Sequence, residues 1–196
     1  FHFFMSGEQT AKEKLRQLCL TRRRALDVQM RARLSAEICR RFLAGVELPK
    51  GSVVAGYFPA GAEVDIMPIL QALALRGHPL ALPCSAGNAL PPLFRRWKEG
   101  AAMTRGLQGI PEPDATALLA APDVILTPIV GFDRRGWRLG HGAGYYDRAI
   151  FAARLRGPVL AIGFAYAAQE CEAIPAEAHD AAMDMIVTED AILRMG

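Results

Sequence analysis

The run Thr127-Pro-Ile-Val-Gly-Phe-Asp-Arg-Arg-Gly-Trp-Arg-Leu-Gly-His-Gly-Ala-Gly-Tyr-Tyr-Asp-Arg148 decides the fold class. It leads from an apolar strand into a glycine-rich loop and then into a helix, an order that builds anion sites in α/β proteins. Gly140, Gly142 and Gly144 remove the Cβ at alternate positions, so backbone N–H groups can approach phosphate oxygens while the helix aims its positive dipole end at the same place. Arg138, His141 and Arg148 flank the loop with positive charge, and Asp147 adds the oxygen ligand that a hard cation such as magnesium requires. The glycine spacing alone is equally consistent with a tight strand-to-helix turn.

Working outward, residues 8–44 show helical periodicity, with Leu15, Leu18 and Leu26 in the first part and Met30, Leu34, Ile38 and Phe42 at four-residue steps after a cap at Asp27. The apolar stripe is expected to face the body and the basic residues to face out. Residues 53–58 read as a buried strand, followed by a helix capped by Asp65 that tolerates Pro68 in its first turn and stops at Gly77-His-Pro79. Further strands are expected over residues 80–83, 93–97, 124–130, 158–164 and 183–188, with a helix over 145–155. Residues 106–113 read as a surface loop. Strands alternating with helices predict a single three-layer α/β domain over residues 8–196, Rossmann-like, with a largely parallel or mixed central sheet. Ligands of such folds gather beyond the carboxyl ends of the strands, where the loops 57–65 and 132–147 both fall. Residues 1–7 read as an expression remnant or a disordered leader.

Composition sets the remaining bounds. The 196 residues suffice for a substantial core, and a net charge of +3 suits anionic small molecules without marking a nucleic-acid binder or a membrane-surface protein. The cluster Arg22-Arg-Arg24 with Arg31, Arg33, Arg40 and Arg41 is interspersed with acids and belongs to no RNA-binding motif. No apolar run approaches the roughly 20 residues of a spanning helix. Cys19, Cys39, Cys84 and Cys171 lack metal or disulfide spacing, which predicts small core residues and a reducing, cytoplasmic setting. Trp97 and Trp137 are read as partial core and not as ligand platforms. A monomer is expected.

The segment Arg138-Leu-Gly-His-Gly-Ala-Gly-Tyr-Tyr-Asp-Arg148 resembles the signature of the 5-formyltetrahydrofolate cyclo-ligase family, also called methenyltetrahydrofolate synthetases. The resemblance continues in Lys12-Glu-Lys-Leu-Arg16, Tyr57-Phe-Pro-Ala-Gly-Ala-Glu-Val-Asp65, Gly109-Ile-Pro-Glu-Pro113 and Gly163-Phe-Ala-Tyr-Ala-Ala-Gln169, followed by His179-Asp180 and Asp184. It implies that ATP phosphorylates the formyl oxygen of 5-formyltetrahydrofolate, that N10 attacks the activated carbon, and that phosphate leaves to give 5,10-methenyltetrahydrofolate. An amide oxygen is a poor leaving group, and phosphorylation makes it a good one.

By position, the resemblance assigns ATP to Lys12, Arg16 and the loop of Arg138, Leu139, Gly140, His141, Gly142, Ala143, Gly144, Tyr145 and Tyr146. It assigns the folate to Phe58, Glu63 and residues 141–145, magnesium to Asp147 and Asp180, and catalysis to Arg138, Tyr145 and Asp147. A carboxylate such as Glu63 suits a pterin because it accepts from the adjacent amino and ring N–H groups. His141 and Ala143 depart from a family loop that often has two cations there, leaving the backbone cradle. A phosphosugar- or coenzyme-binding enzyme, or a non-catalytic folate- or nucleotide-binding protein, would use the same residues and remains an alternative at this level.

Overall fold

The computed structural model describes residues 7–87, 90–106 and 109–196, with no side chains described for residues 7–10. A helical hairpin leads the chain: α1 (Gly7–Ala25) and α2 (Val28–Gly45) are separated at Asp27, whose carboxylate accepts from the Met30 N–H at 2.7 Å. That bond satisfies one of the amides that a helix start leaves unpaired, so the chain begins a second helix there. Of the expected leader, residues 1–6 lie outside the described residues, and Gly7 already belongs to α1.

The strands are, in chain order, β1 (Val54–Ala55), β2 (Leu80–Cys84), β3 (Leu93–Trp97), β4 (Met103–Arg105), β5 (Pro111–Pro113), β6 (Val124–Pro128), β7 (Gly131–Phe132), β8 (Arg138–Leu139), β9 (Leu160–Phe164), β10 (Met185–Val187) and β11 (Ile192–Arg194). Helix α3 (Met67–Leu75) joins β1 to β2, and α4 (Tyr145–Arg154) precedes β9. The central sheet runs β11-β10-β9-β6-β1-β2-β3, parallel from β10 to β2 and antiparallel at both outer strands.

The two-residue period of the strands sorts the core into two layers. Leu80, Leu82, Val124, Leu126, Ile162 and Phe164 join Ile38 and Phe42 of α2 and Ile69, Leu70 and Leu73 of α3. The alternate residues Ala55, Ala81, Ile125 and Ala161 meet Ala149, Ile150 and Ala153 of α4 on the other side. Burial on both faces explains the unbroken apolar run of β6. The chain leaves β1 toward β2 in one direction and β6 toward β9 in the other, so the switch point lies between the adjacent strands β1 and β6. The loops after these two strands bound the crevice where an open α/β sheet receives its ligands.

Several expectations are corrected. The strand over 53–58 shrinks to Val54–Ala55, and Gly56 just beyond it packs so closely on α3 that an added Cβ would lie 2.6 Å from Leu70 Cδ2. Asp65 accepts from the Met67 N–H at 2.9 Å, but the N-cap position belongs to Ile66. The run after β6 does not pass directly into the glycine loop: the hairpin β7–β8 intervenes. Its turn is organised by fully buried Asp133, which accepts from the N–H groups of Arg135, Trp137 and Ile174. The surface loop over 106–113 contains β5, paired with β4, while residues 107–108 lie outside the described residues. Strand β11 was not expected from the sequence. Among the described residues no helix is long and apolar enough to cross a membrane.

Candidate active site

The loop after β1 is held from beneath. Buried Tyr57 donates to the Val64 carbonyl at 2.9 Å, and Ser35 of α2 accepts from the Asp65 N–H at 3.1 Å. These anchors present Glu63, whose Oε2 accepts from the Ala60 N–H at 2.9 Å and whose side chain is only 8% exposed. Phe58 packs edge-on against Trp97, with ring centroids 5.7 Å apart, and Trp97 is itself core. Phe58 and Glu63 therefore stand on one short loop at the mouth of the switch point.

Opposite them stands the loop after β8. Gly142 and Gly144 have φ of 101° and 63°, left-handed values that side chains with a Cβ rarely adopt. Gly144 is the N-cap of α4 and makes no side-chain capping bond, so no cap side chain covers the start of that helix. Leu139 is buried in the core, and its carbonyl accepts from the Val130 N–H at 2.7 Å. Gln169 donates to the carbonyls of Ile129 and Val130 at 2.9 and 2.7 Å, fixing the chain where it leaves β6. The two loops meet where His141 Nε2 lies 3.4 Å from Glu63 Oε1.

Helix α1 lies over the glycine loop, and while Lys14, Arg22 and Arg24 face out as expected, Lys12, Arg16 and Arg23 do not. Lys12, Arg16, Cys19 and Arg23 recur at steps of four, three and four, within about 60° of one helical face at about 100° per residue. That face is turned inward. Lys12 and Arg23 are buried, while Leu18 is 44% exposed. Arg16 Nε donates to the Gly140 carbonyl at 2.8 Å, its guanidinium pairs with Glu13, and an added Cβ on Gly142 would lie 3.6 Å from its Cζ. Lys12 Nζ donates to Glu177 Oε2 at 2.5 Å and to Asp180 Oδ2 at 2.6 Å. Burial works to lower the Lys12 pKa, but Asp180 and Glu177 together outweigh it and raise it. Periodicity misjudged this face because a cation contributes its aliphatic stem to a helix interface while its head reaches a partner. Cys19 and Cys171 face each other with sulfurs 3.2 Å apart, and all four cysteines are buried free thiols.

The acids converge below the loop. Asp147 Oδ1 accepts from Arg138 at 2.8 Å and from the Ala181 N–H at 3.0 Å, which brings Asp147 beside Asp180 despite their distance in sequence. Burial lowers the Arg138 pKa and Asp147 opposes the change. Ligand atoms of Glu177, His179 and Asp180 lie within 4.8 Å of one another, so Glu177 and His179 extend the predicted acidic pair. Neither was singled out as a ligand from the sequence, although both lie beside Asp180. Arg148 donates to the Ala143 carbonyl at 2.7 Å. Tyr145 packs edge-on against Tyr146, and burial pushes its phenol up to about 12, so it remains a proton donor at neutral pH. Tyr146 itself packs against the α4-side core.

The assembled crevice thus has a cationic, glycine-lined end, an oxygen-rich cluster beneath it, and a carboxylate with an aromatic ring across from it. A family model for the 5-formyltetrahydrofolate cyclo-ligase family matches residues 8–189. A 5-formyltetrahydrofolate cyclo-ligase of Mycolicibacterium smegmatis is 34% identical over 185 residues, covering 91% of this chain and 93% of that protein. Its Escherichia coli K12 namesake is 29% identical over 175 residues, covering 85% and 94%. The solved Aquifex aeolicus 5,10-methenyltetrahydrofolate synthetase superposes with a TM-score of 0.79 at 34% identity, covering 94% of this chain and 92% of that one.

Proposed function

This chain belongs to the 5-formyltetrahydrofolate cyclo-ligase family, and we propose that its crevice closes 5-formyltetrahydrofolate to 5,10-methenyltetrahydrofolate with cleavage of ATP to ADP and phosphate. Membership makes it a ligase of folate one-carbon metabolism. The observation that carries the mechanistic reading is the meeting of the two loops. A carboxylate suited to a pterin faces a glycine cradle suited to phosphate, with His141 and Glu63 3.4 Å apart across the switch point.

In this reading the cradle of residues 140–144 and the start of α4 receive the triphosphate through backbone N–H groups. Arg16 and Arg148, both hydrogen bonded to loop carbonyls, supply positive charge beside the cradle. Lys12 exchanges Glu177 and Asp180 for a phosphate oxygen as the nucleotide enters. The freed carboxylates, with Asp147 and His179, offer an oxygen-rich set for magnesium, which would neutralise phosphate charge. Phe58 and Glu63 hold the pterin, and Tyr145 keeps a phenolic proton near the formyl group. Arg138 orients Asp147. Catalysis then consists mainly of alignment: the formyl oxygen faces the γ-phosphorus, N10 attacks the resulting activated carbon, and phosphate departs.

The direct test combines the protein with ATP, magnesium and 5-formyltetrahydrofolate and follows the near-ultraviolet absorbance of the methenyl product. Product should form only with nucleotide and a divalent cation both present, with ADP released in step. Equal product without nucleotide would remove the ligase reading. Glu63→Gln replaces an acceptor by an amide that sets donors against donors. Folate binding should weaken by roughly 1–3 kcal/mol with ATP binding little changed. Calorimetry showing equal losses for both ligands would mean general damage to the loop.

A further inference from the structure

Cys19 and Cys171, 152 positions apart, bring their sulfurs to 3.2 Å, and the reaction proposed above gives them no task. Cys19 follows Arg16 on the inward face of α1 and is fully buried, while Cys171, 6% exposed, comes just after the short 3₁₀ turn Ala167–Gln169. Both lie in one apolar cluster with Leu20, Val130, Leu139 and Ile174. The Cys19 sulfur is seated on the backbone of β7, where an added Cβ on Gly131 would lie 2.7 Å from it. Cys171 has more freedom. Its N–H donates to the Phe132 carbonyl at 2.7 Å, but Glu172 and Ala173 beyond it are exposed. Arg22 donates to the Glu170 carbonyl at 3.0 Å, which places a guanidinium beside the same turn. Donation from the Cys19 S–H holds the Cys171 thiol below its ordinary pKa and moves Cys19 the other way, whereas burial pushes Cys39 up to about 12 and Cys84 up to about 11. Of the four buried thiols, Cys171 is thus predisposed to ionise, and it has a second thiol in contact.

We propose that Cys19 and Cys171 form a thiol–disulfide switch that clamps α1 to the segment anchoring the end of β6 when a low-molecular-weight disulfide is in excess. The Cys171 thiolate attacks one sulfur of a disulfide such as glutathione disulfide and expels a thiolate. Cys19, giving up its proton, then attacks the Cys171 sulfur and expels the second. Two protein thiols are oxidised to one bridge, and the small disulfide is reduced to two thiols that carry away both protons. Closing 3.2 Å to the roughly 2.05 Å of a sulfur–sulfur bond takes a shift of about 1 Å. Gln169, two residues before Cys171, already holds the Ile129 and Val130 carbonyls, so the bridge ties α1 to the point where the chain leaves β6. Arg16, one turn before Cys19, is thereby kept at the Gly140 carbonyl. A bridge closing about 150 residues also restricts the unfolded chain strongly. The inference stands on these contacts and does not depend on the cyclo-ligase reaction.

The test equilibrates the native protein in glutathione buffers of rising oxidised fraction and follows it by intact mass, thiol titration in denaturant and non-reducing peptide mapping. The oxidised protein should be lighter by two hydrogens, lose two of its four thiols and yield a peptide joining residues 19 and 171, all reversed by dithiothreitol. Its melting temperature should exceed that of the reduced protein by about 5 °C or more, and amides of α1 around Cys19 should exchange about 10-fold more slowly. Cys171→Ser and Cys19→Ala should each lack both the bridge and the shift; if either fails to fold, the comparison of oxidised with reduced wild type still decides. Four thiols persisting at the oxidising limit overturn the proposal, as does a glutathione adduct on Cys171 that never resolves, or a bridge through Cys39 or Cys84. A bridge between Cys19 and Cys171 that leaves melting and α1 exchange unchanged would show that it clamps nothing.

Discussion

Asp147→Asn is expected to reduce turnover about 100-fold or more, some 2.7 kcal/mol of transition-state stabilisation. The amide can keep both hydrogen bonds that Oδ1 accepts, from Arg138 and from the Ala181 N–H, so the local geometry survives while the charge disappears. Two consequences follow together. The cation site loses a hard anionic oxygen, and Arg138, with a side chain only 4% exposed, loses its counter-charge. The melting temperature should therefore fall as well. Initial rates at limiting and saturating magnesium, on protein whose circular dichroism matches wild type, decide the matter. Near-normal turnover at limiting magnesium would make Asp147 a purely structural partner of Arg138.

Lys12→Met should give the largest loss of stability. The side chains of Lys12, Glu177 and Asp180 are 10%, 22% and 17% exposed, which places the triad closer to a buried ion pair than to a solvated one. Removing the ammonium leaves two carboxylates facing each other, at a cost of about 3 kcal/mol. For a chain of this length that is a fall of roughly 6–12 °C in melting temperature. Adding Glu177→Gln should restore part of it by relieving the repulsion. In the wild type the raised Lys12 pKa keeps this stabilisation complete below the ordinary lysine value of 10.5 and loses it as pH rises through the folded value. A single variant that melts like wild type would show the triad to be inconsequential. The Michaelis constant for ATP should also rise about 10-fold or more, as expected when a phosphate-binding cation is lost.

How much of this was legible beforehand depended on whether the signal was local. The cap at Asp27, the stop at Gly77 and the buried strand β6 follow from neighbouring residues, and the sequence reading finds them. Hairpin β7–β8 escapes it because the hairpin depends on Asp133, a buried acid whose partners extend to Ile174. The inward turn of Lys12 and Arg23 escapes it for the same reason. An amphipathic reading assigns charge to water, and only distant acids or an enclosed neighbourhood reverse that assignment. The resemblance placed Lys12 and Arg16 beside the nucleotide loop, and the structure puts Arg16 on Gly140. Glu177 and His179 become visible only when Asp180 is brought against α1.

The bonds from Lys12 to Glu177 and Asp180 span 165 and 168 positions of the chain. On a ribosome α1 emerges well before Glu177 and Asp180, so its Lys12 cannot meet these two acids until the chain has been made beyond residue 180. Until then a helix with charge on the face destined for burial is poorly suited to dock on a partial sheet, which favours a free, solvated segment over premature packing. Final docking of the first helix and completion of the phosphate site thus become one late event, so a chain cut short before residue 177 should lack both.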